Sequence, residues 1–202
     1  GHYKTDVGKL AYIGKQGVLC LLSESFYAEK IGHTSPNHRI ASVIKPILFK
    51  NEGRLVFVMF SAHIYRIQEL FNEVMKTDRR VVIMGKRLQR IISRAFEMRY
   101  INFDKNRIGD LSNINDKGII ILVSDEREKP FGNLEKIVNG YDKFIKINEN
   151  DTVILTEPIS DAMEKTATRI ADDIARIGAE VITFSPRDHL LYHPSGEDLM
   201  LM

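Results

Sequence analysis

Seven basic residues, Arg79, Arg80, Lys86, Arg87, Arg90, Arg94 and Arg99, fall within 21 residues of a chain whose net charge is only +2. Arg87, Arg90 and Arg94 recur at steps of three and four, the spacing that lines side chains along one face of a helix. Such a stripe is either a solvated helix face or a surface that neutralises successive phosphates of a nucleic-acid backbone. Arg66 stands where a strand-like run gives way to helical spacing, a place where backbone amides and a guanidinium can hold a phosphate together. Metal and redox chemistry is thinly represented. His33, His38, His63, His189 and His193 show neither H-x-H nor H-E-x-x-H spacing, and one cysteine, Cys20, excludes both an internal disulfide and a thiolate zinc site. After the apolar run ending at Met84 comes Gly85-Lys86-Arg87, with neither G-x-G-x-x-G nor G-x-x-x-x-G-K-[ST], which disfavours a nucleotide-binding module.

The elements that must position these residues are legible as alternating patterns. Continuous apolar or β-branched runs at 18–22, 55–60, 81–84, 119–123, 152–155 and 180–184 predict six strands covered on both faces, and 144–147 a short further one. Between them Ile64, Ile67, Phe71 and Val74, and then Leu88, Ile91, Ala95 and Met98, predict amphipathic helices. A longer helix over 160–177 carries Met163, Ala167, Ile170, Ile174 and Ile177 on one stripe. Pro158 with Ser160 or Asp161 opens it, and Gly178 closes it. Segments 101–117 and 140–151 are polar and read as loops. Strands and helices in alternation with short connections imply right-handed crossovers. The predicted fold is therefore α/β, a mostly parallel sheet flanked by helices on both faces.

A length of 202 residues with 44% hydrophobic and 28% charged side chains is enough for a core that needs no metal or disulfide staple. No apolar run approaches the roughly 20 residues of a membrane-spanning helix, so no membrane partner is expected. Cys20, inside an apolar run, reads as a buried core thiol in a reducing, cytoplasmic setting. Gly1-His2 in place of an initiator methionine reads as the remnant of a removed tag, and the apolar finish at residues 199–202 as a cut from a longer protein.

Several stretches together resemble one family. Gly17-Val18-Leu19-Cys20-Leu21-Leu22-Ser23-Glu24-Ser25-Phe26-Tyr27-Ala28-Glu29 is similar to the GVLCLLS[DE]STNAE stretch of ribonuclease J, a metallo-β-lactamase enzyme of the β-CASP group. Phe60 to Gln68 resembles its FASNIxRxQ, and Arg79 to Arg87 its GRKVAVxGRS. Asn139-Gly140 with Asn150 to Ile154 resembles the ANG…PGDTVI region, Gly178 to Ile182 resembles GAEVI, and His193-Pro194-Ser195-Gly196 resembles H-[VT]-S-G-H. Order and spacing match from about residue 6 onward.

The resemblance implies that residues 3–32 are the tail of a metallo-β-lactamase domain and 33–202 a β-CASP domain. It implies an RNA-cleaving whole protein that uses two zinc ions, most of whose ligands lie outside this chain; the fragment itself is then expected to hold no cofactor and to be inactive alone. It assigns Glu24 and His193 to the catalytic centre, Glu24 to the metal in the full-length context, and Ser23, Ser25, Arg66, Ser195 and Gly196 to RNA phosphates, beside the Arg87, Arg90 and Arg94 stripe that the spacing alone offers for the same purpose. The implied partners are single-stranded RNA and a second copy or an active ribonuclease J paralogue.

Departures from the family pattern point to a decayed site. Glu24 stands where most members carry aspartate, and its extra methylene displaces the carboxylate by about one C–C bond, against ligand distances held to about ±0.2 Å. The acidic position of the family's TxSE reads Thr34-Ser35-Pro36-Asn37, an amide for a carboxylate. The TGSQGEP loop reads Val123-Ser124-Asp125-Glu126-Arg127-Glu128-Lys129-Pro130, with three carboxylates where RNA phosphate should approach. The second histidine of the last motif is missing. The alternative is that the whole protein remains a zinc-dependent ribonuclease that tolerates these changes.

Overall fold

A computed structural model describes residues 6–33, 40–125, 131–156, 159, 161–184 and 193–201. The chain divides into two compact units: Gly1–His38 with Pro186–Met202, and Arg39–Ser185. In the smaller unit the described elements are helices α1 (Val7–Lys15) and α7 (Gly196–Met200). The larger unit holds strands β1 (Leu55–Phe60), β2 (Val81–Met84), β3 (Ile108–Gly109), β4 (Ile120–Asp125), β5 (Thr152–Leu155) and β6 (Glu180–Thr183). Its helices are α2 (Ala41–Lys50), α3 (Ile64–Val74), α4 (Lys86–Glu97), α5 (Gly132–Val138) and α6 (Asp161–Ile177).

The strands form one sheet in the order β3-β2-β4-β1-β5-β6, and every pairing in it is parallel. Alternation along each strand separates two cores. Leu55, Phe57 and Met59 of β1 pack with Ile44 of α2, Phe71 of α3 and Leu88 of α4, whereas Val56 and Val58 pack with Leu134 of α5 and Ile170 of α6. Both faces are thus covered, as a run such as Leu55-Val56-Phe57-Val58-Met59 requires. The chain leaves β1 toward β2 through α3 and leaves β4 toward β5 through α5, on opposite faces of the sheet. A crevice between adjacent strands with diverging connections is the ligand position of open parallel sheets.

One buried ion pair ties the amino ends of β1 and β5 to their loops. Arg54 donates through Nε to Asp151 Oδ1 at 2.8 Å and through Nη2 to Asp151 Oδ2 at 2.5 Å. It also donates to the carbonyls of Ile114 (3.0 Å) and Lys146 (2.8 Å) and to Asn115 Oδ1 (3.0 Å), while Asp151 Oδ2 accepts from the Asn148 amide at 2.8 Å.

Several sequence expectations are corrected. Residues 18–22 form no strand; Leu19 and Leu22 are exposed, since among the described residues the segment has no neighbouring strand whose ladder it could join. Cys20 is exposed with them rather than buried. Residues 144–147 are not a strand either, because Asp142 Oδ1 accepts from the amides of Phe144 (2.8 Å) and Ile145 (3.1 Å), a local side-chain alternative to a ladder. In α4 the buried stripe is Leu88, Ile92 and Ala95, and Met98 lies exposed at the cap. Strand β3, two residues long, has no periodicity to read.

Candidate functional site

Four adjacent strands end in small or hydroxyl-bearing residues. Ser61 follows β1, Gly85 follows β2, Thr156 follows β5, and Ser124 lies one residue from the end of β4, paired in register with Met59. Ser61, Ser124 and Thr156 are buried. Thr156 donates its hydroxyl to the Val58 carbonyl at 2.9 Å, and Asn133 of α5 donates its amide to the Ser124 carbonyl at 2.9 Å and to Ser124 Oγ at 3.3 Å. Gly85, at φ +92°, turns the chain from β2 into α4 and leaves Ser124 Oγ uncrowded.

Two helices begin at this edge. α3 starts after His63 and α4 after Gly85; neither start has a side-chain cap, and neither first turn contains an acidic residue. Lys86 and Arg87 open α4 instead. Helix starts whose own first turns carry cations and no carboxylate direct the positive ends of two helix dipoles at the strand ends. Arg66, in the first turn of α3, is only 6% exposed, so it is not a surface charge; its Nη1 donates to the Thr156 carbonyl at 2.6 Å and fixes the end of β5.

Arg87, Arg90 and Arg94 lie on the exposed side of α4, opposite Leu88, Ile92 and Ala95, and Arg94 pairs with Glu97 at 2.6 Å. Arg79, which belongs to the same basic cluster in sequence, serves another purpose. It donates to the carbonyls of Leu48 (3.2 Å), Gly53 (3.1 Å), Gly118 (2.8 Å) and Asn51, and burial pushes its guanidinium below the usual arginine pKa. Arg79 is therefore a clamp on loops at the amino ends of the strands.

The smaller unit gathers the other sequence candidates. His193 Nδ1 lies 2.9 and 2.8 Å from the two carboxylate oxygens of Glu24, and the imidazole ring sits 4.9 Å from Phe26 and 5.2 Å from Tyr27. Ser23 donates its hydroxyl to the Glu24 carbonyl at 3.3 Å, and the Ser25 carbonyl accepts from the Ala28 amide at 3.1 Å. Ser195 is buried and caps α7: its Oγ accepts from the Asp198 amide at 3.2 Å, and Asp198 Oδ2 accepts from the Ser195 amide at 3.1 Å. Gly196 donates its amide to the Lys30 carbonyl at 3.2 Å, with the Ala28 carbonyl too close to admit a Cβ. Asn37 and residues 126–130 of the charged loop lie outside the described residues.

Glu24 and His193 are bonded to each other, and among the described residues no group of three or more His, Cys, Asp or Glu converges as a metal ion requires. The described residues therefore do not fit a zinc ion by themselves. The pair can hold or pass a proton between carboxylate and imidazole. The start of α3 beside Arg66 was legible in the sequence, whereas Ser61, Ser124, Thr156 and the start of α4 were not; their one signal is a small or hydroxyl residue closing each apolar run.

The family model for the β-CASP domain of ribonuclease J matches residues 52–174. Ribonuclease J2 of Bacillus subtilis (strain 168) is 30% identical over 200 residues, 98% of this chain and 36% of its own length. Ribonuclease J 2 of Staphylococcus saprophyticus is 30% identical over 205 residues, and that of Staphylococcus aureus (strain NCTC 8325) 29%; each match covers 100% of this chain. The chain spans a little over a third of these relatives, 36% or 37% of their length.

Proposed function

The chain belongs to the ribonuclease J family as its β-CASP domain, and from that premise we propose that it is the RNA-clamping part of a ribonuclease J-like protein in RNA processing or decay. The observation that carries this reading is the row of Ser61, Gly85, Ser124 and Thr156 at the strand ends, where α3 and α4 begin with no acidic residue in either first turn. The positive ends of the two helix dipoles attract RNA phosphates, and Lys86 and Arg87 supply the neighbouring charge. Arg66 acts as a positioning residue through Thr156.

Residues 3–32 are proposed as the tail of a metallo-β-lactamase domain and 33–202 as the β-CASP domain, a division from which the grouping of Pro186–Met202 with the amino-terminal unit departs. The catalytic centre of the whole protein would include Glu24 and His193, with Ser23 and Ser25 beside them, and a metal would supply its nucleophilic hydroxide when bound. Ser195 and Gly196 shape α7 against the Ala28 to Lys30 turn, which holds the His193 segment in place. The Glu24 substitution, the amide at Asn37 and the charged loop support a decayed centre working beside an active paralogue in the cytoplasm. The alternative, an active zinc-dependent nuclease, is supported by the intact Glu24–His193 contact, and the flanking sequence discriminates: an intact H-x-H-x-D-H favours it.

Two outcomes are expected. The chain by itself will not cleave a labelled single-stranded RNA above a buffer control, and after dialysis it will carry no stoichiometric zinc by elemental analysis; cleavage or bound zinc would refute this. Binding of that RNA will weaken with salt, and Arg87→Ala/Arg90→Ala/Arg94→Ala together will flatten the log–log salt slope by about 2, at about 0.7 per contact on single strands. An unchanged slope would reduce the stripe to a solvated face.

A further inference from the structure

Three helices of the larger unit end in the same motif, and one does so at a penalty. After α5, Gly140 donates to the Ile137 carbonyl and Tyr141 to that of Lys136; after α6, Gly178 donates to Ala175 and Ala179 to Ile174. After α4 the same pair of bonds is made by Arg99 to Phe96 (3.1 Å) and Tyr100 to Ala95 (2.8 Å). The residue after the cap must be left-handed; Gly140 (φ +73°) and Gly178 (φ +94°) adopt this freely, whereas Arg99 sits at φ +60°. Arg99 is exposed, and its side chain makes no hydrogen bond or ion pair among the described residues. Among the described residues no polar contact of that side chain offsets the strain.

The surroundings show what an arginine there adds. Residues 86–107 contain seven cations against two acids, Glu97 and Asp104, in a chain of net charge +2, so the remainder is net acidic. Arg107 is withdrawn from this surface by its bonds to the carbonyls of Thr77 and Arg79. At the far end of α4 the cations meet aromatic surface: Tyr100 is 48% and Met98 55% exposed, and Lys105 Nζ lies 5.4 Å from the centre of the Phe96 ring. A cationic ridge ending at an exposed ring is a surface on which single strands bind, backbone on the charges and a base on the ring.

We infer that α4 carries a single-stranded RNA track that leaves the strand-end site at Lys86, follows Arg87, Arg90 and Arg94 for about 18 Å, and finishes with Arg99 on a phosphate and a base stacked on Tyr100. The inference rests on the RNA-clamping reading above and adds to it a route for the strand away from the site. A duplex offers no unstacked base to Tyr100, so that residue discriminates single strand from duplex.

The test pairs stability with binding. In the full chain, Arg99→Gly is expected to melt about 2–4 °C higher, because glycine relieves the left-handed position, while its RNA affinity falls and its salt slope flattens by about 0.7. Tyr100→Ala is expected to bind labelled single-stranded RNA about tenfold more weakly with the slope unchanged, and Tyr100→Phe to bind like the parent. A parent-like affinity and slope in Arg99→Gly, a parent-like affinity in Tyr100→Ala, or equal binding of duplex and single strand overturns the track. If the triple arginine variant flattens the slope while Arg99 and Tyr100 have no effect, the track falls and the clamping reading stands. A parent chain that binds no RNA overturns both.

Discussion

Arg54→Ala is expected to lower the unfolding free energy of this chain by about 3–5 kcal/mol, the loss seen when one partner of a buried ion pair is removed. Against a total of about 5–15 kcal/mol for an ordinary domain, that leaves a barely folded protein. The physical reason is the number of groups that depend on one guanidinium. Without it the Asp151 carboxylate keeps only the Asn148 amide among the described residues, and the carbonyl of buried Ile114 loses a charged donor. The loop that holds Asp151 cannot relax away, because Gly53 packs so closely on the Asn150 carbonyl that even a Cβ would overlap it. Urea unfolding of Arg54→Ala, Asp151→Ala and the double variant measures the effect. Each single loss should be large and the double much less than their sum, since the two residues act as a unit. A loss below about 1 kcal/mol for Arg54→Ala would mean that water serves these groups and the pair is not a true staple.

The sheet was readable because its strands obey a rule that sequence displays directly. Runs such as Val81 to Met84 and Thr152 to Leu155 are apolar at every position, which only a doubly covered strand tolerates. The same rule failed at 18–22, where an equally apolar run lies exposed: a strand is a property of a pair, and the described residues of the smaller unit offer it no partner. The candidate site divides in the same way. Arg87, Arg90 and Arg94 are visible as a stripe because their side chains point to solvent from one helix. Ser61, Ser124 and Thr156 come from strands far apart in sequence and adjacent only after the order β4-β1-β5 is known. Arg66 and Arg79 look alike in sequence to the arginines of α4. What separates them is the supply of buried carbonyls, Thr156 for one and Leu48, Gly53, Asn51 and Gly118 for the other, which no local pattern announces.

The second large effect is expected in the complete protein that contains this chain. It should degrade RNA feebly, and Glu24→Asp with Asn37→Glu, together with the family's small-residue loop grafted over 124–129, should raise the rate by about a hundredfold or more. Glu24 reaches His193 Nδ1 with both carboxylate oxygens, so the longer side chain is engaged by the imidazole at 2.8 and 2.9 Å. Shortening it by one methylene withdraws the carboxylate from that contact and frees it for the position aspartate holds in most of the family. Asn37→Glu restores a group that can carry a proton. The graft removes Asp125, Glu126 and Glu128, three carboxylates that follow Ser124 in the sequence and repel a phosphate. Groups acting on one reaction lose function jointly and regain it jointly, so each change alone should recover little of the combined gain. The measurement is the single-turnover rate on a labelled single strand, with binding followed separately so that tighter RNA capture is not mistaken for faster cleavage. An unmodified protein already as fast as an active ribonuclease J, with no gain from the three changes, would show that Glu24, Asn37 and the charged loop are working parts of a competent enzyme.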